Sequence, residues 1–349
     1  MKSTTILAIV FALTGSMASP GPEDSYNVPR TEFDFPDLQG VWNFSSNTLM
    51  ERPERFGNQE FLEAEQLEQE RKRIAEFHAA AEARAARLVV NPSAPRPGDS
   101  VGSRNDFWNE GAGIGKNSRT SLIVYPENGR FPAPAQGAER QFDNLSRDMP
   151  GTRPVRTLVG GIGKDGPEDR GLAERCIAGV NSGPPFTPSL YNNNLQLVQG
   201  RDTVVILMEM VHDARIVSIV DKPDLPDNIR LWSGDSRGWY ENNDTLIVVT
   251  KNFNGLRQPI NYSGVGSNYD TVLTERFTRT GYNSMEYQFT VSAPSAFSGK
   301  VSAIIPLTKV AGRIYEYACH EGNYSMTNLL RGARIAEQKV TGSEQHIIQ

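Results

Sequence analysis

The chain has 349 residues, a formal net charge of -5 at pH 7, a pI near 5.6 and 38% hydrophobic residues. That length can bury a substantial core in one large domain or two modest ones. The acidic balance leaves no basic footprint for nucleic acid or an anionic membrane surface, and neither is expected as a partner.

The N-terminus carries Lys2, an apolar run over 6–13, and then Ser16, Met17 and Ala18, with small residues at the two positions a signal peptidase inspects. This pattern predicts a cleaved signal peptide over 1–18 and a periplasmic or secreted protein. The run is far shorter than the roughly 20 residues a bilayer span needs, and no later stretch reads as one, so no membrane span is expected. Residues 19–36, rich in Pro, Gly and acids without periodicity, read as an extended linker. A first strand is expected near Val41, with Trp42 and Phe44 entering a core.

Residues 58–88 give the one strong helical pattern, with Phe61, Ala64, Leu67, Ile74, Phe77, Ala81, Ala85 and Leu88 at helical spacings and Asn58 as the expected cap. His78 falls within its charged surface pattern. A loop follows over 91–103, and then Arg104, Asn105, Asp106, Phe107 and Trp108, polar and aromatic together, are expected over the mouth of a cavity. A short strand is read over 121–125. Residues 132–171, without regular pattern, are expected to wrap over a scaffold built elsewhere.

From residue 191 onward the chain reads as strands: 195–199, 203–212, 215–220, 245–250, 272–280, 285–291, 301–307 and 314–320. Met285, Tyr287, Phe289 and Val291 alternate with Glu286, Gln288 and Thr290, as in a sheet with one buried face. Short turn-forming links predict a mainly β fold, an antiparallel β-barrel or strongly curled meander. A single domain over 37–338 is expected, ending in a short polar helix over 326–337 and a disordered tail over 339–349.

Chemistry-bearing groups concentrate in residues 315–324, Tyr-Glu-Tyr-Ala-Cys-His-Glu-Gly-Asn-Tyr, which hold one of two cysteines and one of four histidines. In an exported chain the even pair Cys176 and Cys319 is expected as a disulfide, worth roughly 2 to 5 kcal/mol for so long a loop. If the strand over 203–212 runs through, Met208, Met210 and His212 share a face. His212 then enters an apolar space as a general acid or base, or sits there as a core histidine bonded to backbone. His320 is its expected partner, with Glu321 orienting it, or it merely stabilises a turn beside the disulfide. Asp213, Arg215, Asp235, Arg237, Trp108 and Tyr317 are candidate supporting and substrate-contacting groups. Arg237 either binds a carboxylate or oxyanion, or closes an internal loop with Asp235.

No nucleotide, flavin or nicotinamide motif is present, and no cofactor is expected. A zinc or iron site would have to be built from His212, His320 and a carboxylate such as Glu209 or Glu321, without supporting spacing.

Asn105-Asp106-Phe107-Trp108, Pro167-Glu168-Asp169-Arg170 with Glu174-Arg175-Cys176, Tyr191-Asn192-Asn193, His212-Asp213-Ala214-Arg215, Gly234-Asp235-Ser236-Arg237-Gly238 and residues 315–324 together resemble a large family of exported bacterial proteins of mostly unassigned function. The resemblance covers nearly all of the mature chain. It implies a secreted or periplasmic protein with a lipocalin-like barrel, and it carries no reaction with it. Where the family commonly shows Trp-Glu-Gly-Asp-Thr, this chain has a longer stretch from Trp239 to Thr245. The expected activity is cofactor-free acid/base chemistry, an elimination, isomerisation or hydrolysis, on a small apolar or aromatic molecule held in the barrel. The alternatives are a non-catalytic carrier with the same cavity, and an envelope protein whose long loops bind another protein.

Overall fold

The computed structural model describes residues 26–90, 118–138, 166–167, 170, 172–255 and 269–345. The predicted signal peptide, Trp108 and the tail beyond residue 345 lie outside them. Ten strands form one sheet: β1 Gly40–Asn43, β2 Ile123–Tyr125, β3 Asn194–Gln199, β4 Thr203–Met208, β5 Ala214–Ser218, β6 Asp235–Glu241, β7 Thr245–Lys251, β8 Val272–Gly281, β9 Ser284–Ser292 and β10 Val301–Val310. The order β1-β3-β4-β5-β6-β7-β8-β9-β10 closes on itself because β1 also pairs with the end of β10, and β2 pairs with its beginning, at Ser302 and Ala303. The expected β-barrel is therefore present, in the closed form that removes exposed sheet edges, and it is lipocalin-like in kind.

Nine strands cannot all alternate direction around a closed ring, so at least one neighbouring pair must be parallel. That pair is β5–β6, joined through only Val217 with Ser236 and Ser218 with Arg237; the other eight pairings of the ring are antiparallel. The connection over 219–234 must climb the barrel wall before β6 begins. At Gly238 a Cβ would sit 2.9 Å from a Val217 methyl, so the bare backbone lets Val217 pack across this seam.

Along each long strand the side chains alternate between core and outer wall, as the two-residue period requires. Leu273, Glu275, Phe277 and Arg279 of β8 and Met285, Tyr287, Phe289 and Val291 of β9 are all buried. The apolar ones among them join Trp42, Leu195, Leu197, Val204, Ile206, Val248 and Ile305 in one apolar cluster.

The two rims are closed differently. At the lower rim, where β3, β6 and β8 end, residues 26–38 pack across the opening. The Leu38 amide donates to Gln199 Oε1, and Gln199 Nε2 donates to the Pro36 carbonyl at 2.9 Å and to Tyr240 Oη at 2.8 Å. Phe35 stacks on Tyr240, and Arg279 donates to the carbonyls of Asp37, Gly281 and Tyr282 while lying 4.9 Å from the Trp42 ring. Residues 26–36 are thus part of the fold, although their composition reads as a linker; Phe33 and Phe35 supply what composition averages away. At the upper rim the opening is covered by residues 172–193, described below.

Among the described residues there are two long helices. α1 spans Ala64–Val90, starting six residues later than the 58–88 pattern predicts. Residues 54–63 are committed elsewhere: Glu54–Phe56 is a short 3-10 turn, and Leu62 donates its amide to the Ser118 carbonyl. Gln66 Oε1 accepts the Glu63 amide, so the cap is set there and not at Asn58. α2 spans Tyr324–Gln345 and runs well past the expected end at Glu337, through Thr341, Gly342 and Ser343 and into the tail expected to be disordered over 339–349.

Candidate functional site

Two strand expectations fail, and the failures relocate the site. β4 ends at Met208 instead of continuing to His212. The Met208 amide takes the Asp213 carbonyl at 2.9 Å, and Val211 and His212 adopt left-handed φ values of 64° and 53°. The chain reverses there, so Met210 is buried while His212 points to solvent. Residues 314–320 form no strand either; after Val310 the chain leaves the lower rim in irregular extended form and climbs outside to the upper one. Conversely, Asp235 and Arg237, for which one reading is an internal loop, stand at the start of β6.

The segment 315–324 and His212 do meet, but on the outside. His212 Nε2 accepts the Tyr317 amide at 2.7 Å. Cys319 forms the expected disulfide with Cys176, and Asn323 Nδ2 donates to the Glu174 carbonyl at 3.1 Å. Tyr317 is half-buried, and its hydroxyl is pushed up by burial and by the neighbouring Tyr191. His320 and Glu321 are exposed in a turn. The two histidines therefore do not face a common barrel interior, as the uninterrupted strands would have required. A surface cleft of 390 Å³ beside the disulfide is lined by Arg170, Glu174, Cys319, Glu321, Asn323 and Met326, among others. Arg170 and Glu174 are paired across it.

Arg237 Nη1 donates to Asp235 Oδ1 at 2.7 Å and Nη2 to the Pro223 carbonyl at 3.1 Å, on the outer wall of β6. This is the internal loop-closing arrangement, not a group aimed into the barrel. Asp213 is half-buried at the rim, where Ser233 Oγ approaches its Oδ2 at 3.5 Å. Trp108 lies outside the described residues. Among the described residues no group of three or more His, Cys, Asp or Glu could hold a metal ion, and no helix is long and apolar enough to cross a membrane.

Of the named candidates among the described residues, Arg215 alone enters the barrel, from the second position of β5. Its guanidinium pairs bidentately with Glu275 of β8: Nη2 donates to Oε1 at 2.8 Å and Nη1 to Oε2. Glu275 is 0% exposed and Arg215 8%. Tyr287 Oη of β9 donates to the same Glu275 Oε1 at 2.7 Å. Nη1 also reaches Thr250 Oγ1 at 3.4 Å, and Thr250 shares a hydrogen bond of 2.9 Å with Ser236. A polar cluster thus crosses the interior from β5 through β6 and β7 to β8 and β9.

Isolated charges at such depth cost several kcal/mol each, and this pair is tolerable because the fork geometry and the phenol satisfy the carboxylate oxygens. Burial alone would pull the Arg215 pKa down, but the Glu275 carboxylate and its hydrogen bonds carry it above the usual arginine value. Tyr287 is pushed well above the usual tyrosine value by burial, with the Glu275 charge adding to it. It remains a neutral phenol whose proton is committed to Glu275.

A ring from outside the strands lies over this cluster. Phe186, 1% exposed, hangs from the upper-rim segment and stacks on Tyr287 with centroids 3.8 Å apart and planes 15° apart. Phe44 and Phe277 flank it at 4.9 and 6.1 Å. Gly183 makes the turn that carries it down: its φ is +67°, and a Cβ there would fall 2.3 Å from the Phe186 nitrogen. Asn193 ties the other end, with Oδ1 accepting the Ser189 amide at 2.7 Å and its own carbonyl accepting from Phe44.

Glu275, Tyr287, Thr250, Ser236 and Phe186 were not among the sequence candidates. The usable signal was Glu275 between Leu273 and Phe277, a carboxylate on the inward register of an otherwise apolar strand face. Comparison with protein-family models and with curated proteins finds no match to the chain.

Proposed function

We propose that the protein is an exported barrel that binds a small apolar or aromatic molecule at its upper mouth, in the seat now filled by the Phe186 ring. The observation that carries this reading is the placement of Phe186: an aromatic ring delivered by a rim segment, stacked on Tyr287 over a fully paired polar cluster. Strand side chains are fixed by the barrel, whereas a ring on a connecting segment can leave without breaking a strand pairing. The apolar walls supplied by Phe44, Phe277 and Phe289 suit a ligand of the same chemistry. The disulfide suits an oxidising compartment.

The test is calorimetric titration of the intact protein and of Phe186→Ala with naphthalene-sized aromatic probes. Wild type is expected to bind, and Phe186→Ala to bind at least about tenfold tighter, because the fraction of molecules with an open seat no longer limits affinity. Binding by Phe186→Ala with none by wild type would show that Phe186 is a permanent core residue, and the reading would fall.

Catalysis on the same molecule is a second reading, favoured by the 2.7 Å contact between the Tyr287 phenol and the Glu275 carboxylate. It moves the proposed cofactor-free acid/base chemistry from the two histidines to this pair. Bound probes recovered chemically unchanged after long incubation would count against it.

A further inference from the structure

We infer that the molecule seated against Tyr287 is a neutral planar aromatic bearing a hydrogen-bond donor, a phenolic hydroxyl or an aryl N–H, and that the site discriminates against aromatic carboxylates. This deepens the binding reading and rests on it. Three features of the cluster lead to this ligand class.

The first is the charge balance of the cluster. Arg215 spends both terminal nitrogens on the two oxygens of Glu275, and Nη1 also serves Thr250. An incoming carboxylate would therefore meet a cation whose charge Glu275 already balances, and two carboxylates in a low-dielectric interior repel strongly. The pair has no net charge, which suits a ligand with none.

The second is the direction of the Tyr287 proton. A phenol has one proton to donate, and Oη gives it to Glu275 Oε1. What Oη can still do is accept, and the backbone of Phe186 supplies that bond; a ligand that displaces this segment has to replace it with a donor of its own. A ligand donor satisfies it; an ether or a hydrocarbon leaves it buried and unpaired.

The third is the shape of the occupant already present. Phe186 lies nearly parallel to Tyr287, with its ring between Phe44 and Phe277. The slot is therefore one flat ring thick, and a planar ligand fits it where a branched aliphatic chain of equal volume does not.

The experiment compares 2-naphthol, 2-methoxynaphthalene and 2-naphthoate against the wild-type protein at neutral pH by calorimetry. The expected order places 2-naphthol about tenfold or more tighter than either relative, the factor a buried acceptor left without its donor imposes. In Tyr287→Phe the preference for 2-naphthol over its methyl ether should vanish, while both still bind. Equal affinity for 2-naphthol and 2-methoxynaphthalene in wild type would overturn the donor requirement and leave the binding reading intact. Tightest binding of 2-naphthoate would overturn the charge argument, since the Glu275 carboxylate beside Arg215 should repel it. Absence of binding by all three would sink both this inference and the binding reading beneath it. The wild-type series does not depend on any variant folding.

Discussion

Two regions of the molecule gather ionisable side chains, and they behave in opposite ways. The rim segment 315–324 with His212 is dense in such groups along the sequence, yet His212, His320 and Glu321 face water and the contacts there run largely through backbone and a disulfide. The interior cluster is sparse along the sequence, its members lying on five strands, yet Glu275 and Tyr287 are fully buried and each answers another's charge or hydrogen bond. Local density marks a place where the chain is pinned. Burial marks the place where electrostatics is strong enough to govern chemistry or ligand choice.

The sharpest way to break this comparison is to unpair the interior. Glu275→Ala leaves the Arg215 charge buried without its partner, and a loss of about 3–5 kcal/mol is expected in urea unfolding. Replacing both together, Arg215→Met with Glu275→Leu, should recover most of that loss, because the cost lies in the orphaned charge. Recovery failing while the double variant stays folded would mean the pair acts through packing instead.

At the rim the covalent link carries the stability. Cys176→Ser with Cys319→Ser opens a connection between positions 143 residues apart and should cost about 2–5 kcal/mol. Tyr287→Phe removes one bond to Glu275 Oε1 and should cost about 1–2 kcal/mol. It should also alter the alkaline limb. The folded-state pKa of Tyr287 lies above its ordinary value of 10.0, so its stabilising effect is complete below about pH 10 and is lost as pH rises beyond it. Thermal unfolding should therefore shift downward above pH 10 in wild type and less steeply in Tyr287→Phe. The smallest effect belongs to His320→Ala, expected within about 0.5 kcal/mol of wild type and without influence on probe binding. A large effect on binding there would return the site to the rim.

The barrel was legible because strands such as 285–291 alternate strictly, and alternation is a backbone property that tertiary context seldom overrides. The lower-rim plug was not, since Phe35 on Tyr240 is a contact between positions 205 apart that no local pattern encodes. His212 was misplaced for a specific reason. Met-Glu-Met-Val-His mimics the strand period, while the left-handed turn at Val211 and His212 uses residues that carry no turn signature. Arg215 was legible as a candidate but its partners were not, because pairing it with Glu275 depends on barrel closure, which brings β5 and β8 to opposite sides of one interior. The Asp235 and Arg237 pair was legible as chemistry and ambiguous as geometry. Only the register of β6 decides that both point outward.

The odd strand number has a consequence for how water reaches the buried charges. The parallel β5–β6 seam is held by two residue pairs, whereas β6–β7 is held by seven, and Arg215 and Ser236 stand on the two sides of it. The wall is thus least bonded directly beside its most polar contents. A brief parting of this seam would admit solvent sideways to the ion pair without moving Phe186. Amide hydrogens across it should exchange well ahead of those between β8 and β9.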